Sequence, residues 1–430
     1  MNLNNFKLLR FLAVAVLLTS SCNSNKSSDN APSTSAPAVA GLTNGATLQT
    51  ITGANVVQFT VNGSTCSAGS YSNKPCVSVK ICNPGSTSAC VTVNDILLDT
   101  GSYGLRVFQS ALPGLTLTPV LSHQGGNLAT CAQFGVDAAD ATALWGPVET
   151  ADVYLGGEAA VTIPIQVINA SYATVPASCE NPYQTPYTPP SEAGFNGILG
   201  VGLAAEDCGS DCVWQSLAVP NTDNGVYFSC SGSTCSGGST NSLANQVQNP
   251  VGAQATDNNG LIIELPSIIS TGTSGVSGYM ILGIGTKSNN QPGSVNLYET
   301  DAYGNIATTF QGSTVDGFLD TGSNGLLFSA NLATDSQNWY VPNSVVNYSA
   351  TNQGSQTGAT ASKIYFDIAD ADTLFSTDSV FNDLGGYVDP SVYVFDFGLP
   401  FFFGRNIYIG IDGKSVPSLG SGVTGPLWAY

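Results

Sequence analysis

One stretch of this sequence occurs twice. Ile96-Leu97-Leu98-Asp99-Thr100-Gly101-Ser102-Tyr103-Gly104-Leu105 returns as Gly317-Phe318-Leu319-Asp320-Thr321-Gly322-Ser323-Asn324-Gly325-Leu326. Each copy is an apolar strand, then D-T-G-S-x-G-L, then further apolar residues. A lone D-T-G-S reads as a turn in which the Asp side chain bonds its own backbone. Turn chemistry does not require matched strands and a second Gly-Leu at the same offset, so the pair points to one unit used twice. Each copy also has an echo downstream, Phe195-Asn196-Gly197-Ile198-Leu199-Gly200-Val201-Gly202 and Phe397-Gly398-Leu399-Pro400-Phe401-Phe402-Phe403-Gly404. An apolar run broken by Gly is the pattern of a buried strand that meets another backbone closely.

The surrounding composition is that of β structure. Of 430 residues, 48 are Gly and 22 Pro, and only 9% are charged, which excludes a coiled coil or long helical bundle. An apolar fraction of 42% is too high for a disordered chain. Turn residues, aromatics and β-branched residues together predict an all-β protein. Ten basic residues against 29 acidic give a net charge of −19, which repels phosphate backbones and leaves no role for nucleic acid.

A single His, His123, narrows the chemistry further. Zinc sites built on two or three His and the H-E-x-x-H metalloprotease motif are excluded. No G-x-S-x-G elbow accompanies His123, which lies in the Gly-flanked loop Ser122-His123-Gln124-Gly125-Gly126 and reads as a surface residue. The acid-rich stretches Asp137–Asp140 and Asp367–Asp372 lack the ligand spacing and Gly turn of a calcium loop and read as solvated charge. Carboxylates, hydroxyls and backbone groups remain, with no metal and no cofactor expected.

The N-terminus carries Lys7 and Arg10, then an apolar run Phe11–Leu18, then Thr19-Ser20-Ser21-Cys22. This is the layout of an export signal, too short to span a bilayer as a mature helix. Ending in Cys22, it resembles the lipobox of bacterial lipoproteins, although Thr19 stands where Leu is usual. The resemblance implies lipid attachment at Cys22 and anchoring at the outer membrane or cell surface. Ordinary secretion or a periplasmic location is the alternative. Residues 23–49 begin with a Ser/Asn/Pro/Ala-rich run and read as a flexible tether. Eleven Cys is odd, and removing Cys22 leaves ten, all between Cys66 and Cys235. An even set in an exported chain implies up to five disulfides, with Cys82/Cys90, Cys208/Cys212 and Cys230/Cys235 close enough to pin hairpins or small loops. No Cys follows Cys235, so the C-terminal part must be held by its core alone.

Taken with their echoes, the two D-T-G-S copies resemble the pepsin-like aspartic proteases. In that family each of two β lobes supplies one such loop, backed by an apolar-apolar-Gly strand. The resemblance spans about residues 90–203 and 260–412; residues 204–255 match no part of it. It implies a bilobal architecture with a pseudo-twofold axis and a cleft, the lobes being residues 50–255 and 256–430. It also implies a flap hairpin after the first motif. Phe134 stands there where the family has Tyr, followed by Gly135, with Trp145 as another ring that could close over the cleft.

The chemistry follows from paired carboxylates. Two carboxyls within hydrogen-bond range cannot both ionise cheaply, so Asp99 and Asp320 would share one proton. A water between them is deprotonated by one and attacks a peptide carbonyl, while the other protonates the oxyanion and then the leaving nitrogen. Gly101 and Gly322 allow the backbone to turn beside each carboxylate. The resemblance implies that Thr100 and Thr321 lock the loops together and that Ser102 and Ser323 bond the outer carboxylate oxygens. Activity is expected at acidic pH. The expected protein is a monomeric, lipid-anchored endopeptidase that binds its peptide substrate extended. The rivals are a catalytically silent pepsin-like binding or inhibitor protein, and a structural surface protein whose D-T-G-S copies are only turns.

Overall fold

Along Cys90–Asp99 side chains first alternate between solvent and core, then from Ile96 onward all are buried. The strand therefore enters the interior as it approaches Asp99, because Ile96-Leu97-Leu98 offers no polar face to water. The same happens along Ser313–Leu319, where three exposed or half-buried residues and Asp316 precede the buried Gly317-Phe318-Leu319. The computed structural model describes residues 48, 50–67, 71–135, 142–179, 190–214 and 224–430. The signal, Cys22 and nearly all of the tether lie outside those residues.

The described fold is all-β, with a 16-stranded sheet and a 7-stranded sheet. Six strands of the larger sheet close on themselves. Cys90–Asp99 pairs with Pro75–Cys82 and runs parallel to Gly197–Val201, which pairs in turn with Tyr103–Phe108. Tyr103–Phe108 runs parallel to Val161–Ile168, whose other neighbour Thr142–Tyr154 returns to Pro75–Cys82. Closure removes sheet edges and surrounds a core that includes Val79, Ile96, Leu98, Val107, Ile165 and Leu199.

Around the second motif the same local order recurs in the 7-stranded sheet. Ser313–Leu319 runs parallel to Val394–Phe397, which is antiparallel to Leu326–Phe328, itself parallel to Gly385–Tyr387. In both copies the D-T-G-S loop therefore leaves one strand and returns on the far side of a strand inserted between. Gly200 and Gly398 make that insertion possible, since a Cβ there would stand 2.7 Å and 2.0 Å from backbone atoms of Tyr103 and Gly325. All five disulfides fall between Cys66 and Cys235, pairing 66–76, 82–90, 131–179, 208–212 and 230–235. The disulfide-free sheet instead packs Phe310, Phe328, Phe366, Phe395 and Phe397 against one another, with Phe328 stacked on Phe395 at 4.9 Å.

The two-lobe division implied by the resemblance is corrected here. Strands Gly260–Glu264, Val276–Leu282, Leu297–Glu299, Asn406–Gly410 and Leu427–Ala429 all belong to the sheet that contains the barrel. The joint is Val56–Val61, which pairs with Pro75–Cys82 on one side and along its whole length with Val276–Leu282 on the other. Sheet pairing thus joins strands from either side of the boundary at residues 255 and 256. The segment that matched nothing contributes a hairpin, Tyr227–Ser231 with Thr234–Gly237, that extends the sheet beside Asn127–Phe134.

Candidate active site

Asp99 ends the strand Cys90–Asp99, and Asp320 follows Leu319 at the end of its counterpart. Both are buried, at 1% and 0% exposure, although they lie far apart in the sequence. Four hydrogen bonds bring the loops together. The Thr100 N–H donates to Thr321 Oγ1 at 3.1 Å, and the Thr321 N–H donates to Thr100 Oγ1 at 3.0 Å. Each hydroxyl then donates to a carbonyl of the opposite strand, Thr100 to Leu319 O at 2.9 Å and Thr321 to Leu98 O at 2.7 Å. No hydroxyl, amide or carbonyl in this crossing is left without a partner, as burial demands.

The crossing sets the carboxyls face to face. A Cβ added to Gly101 would stand 2.5 Å from Cγ of Asp320, and one added to Gly322 would stand 2.8 Å from Oδ1 of Asp99. Only Gly leaves room for each carboxyl against the other loop. Each acid also accepts from its own loop, Asp99 Oδ1 from the Gly101 N–H at 2.8 Å and Asp320 Oδ1 from the Gly322 N–H at 2.7 Å. Ser102 donates to Asp99 Oδ2, and Ser323 Oγ lies 2.9 Å from Asp320 Oδ2. Burial pushes the Asp99 carboxyl well above the ordinary range, and the charge of Asp320 and a hydrogen bond with it push the same way. The donors Ser102 and Gly101 oppose that rise. A raised acid beside a second acid is the condition for a shared proton.

The eight motif residues Asp99, Thr100, Gly101, Ser102, Asp320, Thr321, Gly322 and Ser323 are thus gathered in one place. Phe134, Gly135 and Trp145 are not gathered with them. Phe134 packs with Leu97, Phe108 and Phe195, and Trp145 is fully buried edge-on to Phe228 at 5.4 Å. Asn127–Phe134 and Thr142–Tyr154 do form a hairpin, but residues 136–141 lie outside the described set. Both side chains are buried within core clusters. His123 stacks on Trp214 at 4.1 Å.

Three features escape a reading of the sequence. A cavity of about 660 Å³ opens against Thr100 and Gly101, walled by Tyr103, Phe318, Val394 and Trp428, with Glu206 on its lining. The Tyr71 hydroxyl is buried without a hydrogen-bond partner among the described residues. Burial and then the charges of Asp95, Asp99 and Asp320 push that phenol up, which keeps it neutral. Asp396 is fully buried, with Oδ2 2.6 Å from Ser323 Oγ. Its only sequence signal is an acid inside the apolar run Val394-Phe395-Asp396-Phe397-Gly398. Near this region the Sγ atoms of Cys66 and Cys76 approach the Asp95 carboxylate. Those sulfurs are bonded to each other and Asp95 pairs with Lys74 at 2.5 Å, so the group offers no thiolate ligands to a metal.

Residues 51–430 match the family described as "Protein of unknown function (DUF3443)". The chain belongs to that family. No curated protein matches it. The match overturns the pepsin-like membership implied by the resemblance, since it runs through both motifs and through residues 204–255, where that resemblance broke off. The described fold of this chain is correspondingly a barrel-rich β structure of one 16-stranded and one 7-stranded sheet, not a two-lobe aspartic protease.

Proposed function

We propose that this DUF3443 protein is an aspartic-type endopeptidase. What supports the reading is the buried, facing pair Asp99 and Asp320, with their loops cross-bonded through Thr100 and Thr321. With one proton on the pair, the ionised member takes a proton from a water lying between them, and that water attacks the peptide carbonyl carbon. The protonated member gives its proton to the oxyanion; collapse of the tetrahedral species breaks the C–N bond as the nitrogen is protonated. One proton circulates, so no further group is required. Above the second titration both acids are ionised and no proton donor remains, which ties activity to the acid side. An extended peptide would lie with one side chain in the cavity beside Gly101.

The test is a peptide-library digest by the purified, disulfide-bonded chain across about pH 3–7, with and without a statine-type inhibitor. Asp99→Asn and Asp320→Asn should each lower cleavage by about 10²–10⁴-fold or more, with the thermal transition retained. Cleavage that survives both substitutions would remove the dyad from the reaction.

Export belongs to the same proposal. Five disulfides mark an oxidising compartment, periplasmic or extracellular. All ten cysteines after Cys22 are paired with one another, and that leaves Cys22 available for the lipid its surroundings imply. Among the described residues no helix is long and apolar enough to cross a membrane.

A further inference from the structure

The two half-sites carry the same motif but differ two residues before the glycine that backs it. In the barrel Ile198 lies opposite Leu97, and in the 7-stranded sheet Asp396 lies opposite Phe318, the matching register position. Asp396 is completely buried, and its other register neighbour, Leu327, is also apolar. The charged groups that bear on it are Asp320 and Asp99, both acids. Its one hydrogen-bond contact is Ser323 Oγ at 2.6 Å, while its Oδ1 is buried with no partner among the described residues.

Counting hydrogens constrains its state. Ser323 has a single hydroxyl hydrogen and lies 2.9 Å from Asp320 Oδ2 and 2.6 Å from Asp396 Oδ2. If the hydroxyl donates to Asp320, the shorter contact needs a hydrogen from Asp396. If Asp396 were ionised, two carboxylates would compete for one hydrogen in an apolar setting with no facing cation among the described residues, a costly arrangement.

The geometry points to Asp396 as a protonated positioning residue, a buried carboxylic acid that donates to Ser323 so that Ser323 donates to Asp320. This relay favours charge on Asp320 and leaves the shared proton on Asp99, whose Ser102 has only the aliphatic Ile198 at the equivalent place. The asymmetry assigns roles: Asp320 is the base toward water and Asp99 the first acid toward the carbonyl oxygen. Burial, followed by the charge of Asp320, pushes the Asp396 carboxyl well above the usual range, in keeping with a retained proton.

The assignment of roles rests on the proposed hydrolysis; the protonation of Asp396 does not, and the experiment separates the two. The pH profile of kcat/KM is measured for the full chain and for Asp396→Asn and Asp396→Ile. The Asn amide can still donate to Ser323, so its acid limb should stay with that of the unsubstituted protein. The Ile side chain copies Ile198 and removes the donor, so its acid limb should move up by about one pH unit. An ionised Asp396 would give the opposite sign, since deleting a negative neighbour eases ionisation of the dyad and moves the limb down. A downward shift in either variant, or an unmoved limb in Asp396→Ile, overturns the relay.

Infrared spectroscopy of the full chain carrying Asp99→Asn supplies a readout that needs no turnover. In the difference spectrum near neutral pH between this protein and one that also carries Asp396→Asn, a protonated-carboxyl carbonyl stretch should appear that Asp383 and Asp207, present in both, do not supply. Absence of that band overturns the proposal whatever the digest shows. A band that behaves as expected in a chain that cleaves nothing would retain the protonated Asp396 and reject the endopeptidase.

Discussion

Thr100 and Thr321 do more for the site than any other non-acidic pair. Each hydroxyl is at once acceptor for an amide and donor to a carbonyl of the opposite loop. Thr100→Val keeps the volume but deletes both bonds, stranding the Thr321 N–H and the Leu319 carbonyl in a buried place. The expected loss is about 1–3 kcal/mol for each orphaned group in urea unfolding, with Thr100→Ser close to the unsubstituted protein. Equal stability of the Val and Ser variants would mean that the crossing does not hold the loops. At this scale the sequence was most legible, because a four-letter motif repeated with its flanks is a local signal. Asp396 and Tyr71 were not legible, because each acquires its meaning only from what folding brings beside it. An acid in an apolar strand can equally mark an edge, and nothing in Val394–Gly398 names Ser323 as its partner.

Single elements divide into two kinds according to how they are braced. The barrel side carries every disulfide, and its buried polar contacts include Arg106, which reaches Asp207 at 2.9 Å and Gln166 at 2.7 Å. That ion pair ties the strand Tyr103–Phe108 to the segment that no resemblance covered. The 7-stranded sheet has only its core, where Phe328 meets Phe310, Tyr340, Phe366 and Phe395. Phe328→Ala should therefore cost about 3–5 kcal/mol, read by denaturant unfolding, since the surrounding rings cannot collapse into the space. A cost below about 1 kcal/mol would show that the cluster is not what holds this sheet. The absence of Cys beyond 235 foretold a core-dependent region. The order of strands around each motif could not be read, because Gly197–Val201 and Val394–Phe397 are parallel insertions whose partners are distant in sequence.

At the scale of the whole molecule, carboxyls raised by burial outnumber those lowered among the described residues. Asp99, Asp207 and Asp396 are pushed up chiefly by burial, as is Asp383, which reaches about 7. An acid whose folded value lies above its unfolded value stabilises the fold below the unfolded value, and that contribution is lost as pH rises through the folded one. For Asp383 the window runs from the ordinary value of 3.8 up to about 7. Protonation also relieves part of the self-repulsion of a chain with net charge −19. The melting temperature should accordingly rise by about 5 °C between roughly pH 8 and pH 5, the reverse of ordinary acid destabilisation. Calorimetry showing a Tm that falls over that range would contradict these buried acids. All-β class was readable at this scale from composition. The division into lobes was misread, because the pairing of Val56–Val61 with Val276–Leu282 leaves no trace in either segment alone.

That pairing also shapes how the chain must be assembled. Val56–Val61 is among the first described segments to leave the ribosome, yet its outer neighbour is not finished until Leu282 has been added. Through all of that synthesis one flank of an early strand waits with its amides and carbonyls open, a surface on which nascent chains can stick to one another. The last-made part of the protein is thus the natural guardian of the first, and a truncated product would carry its own adhesive.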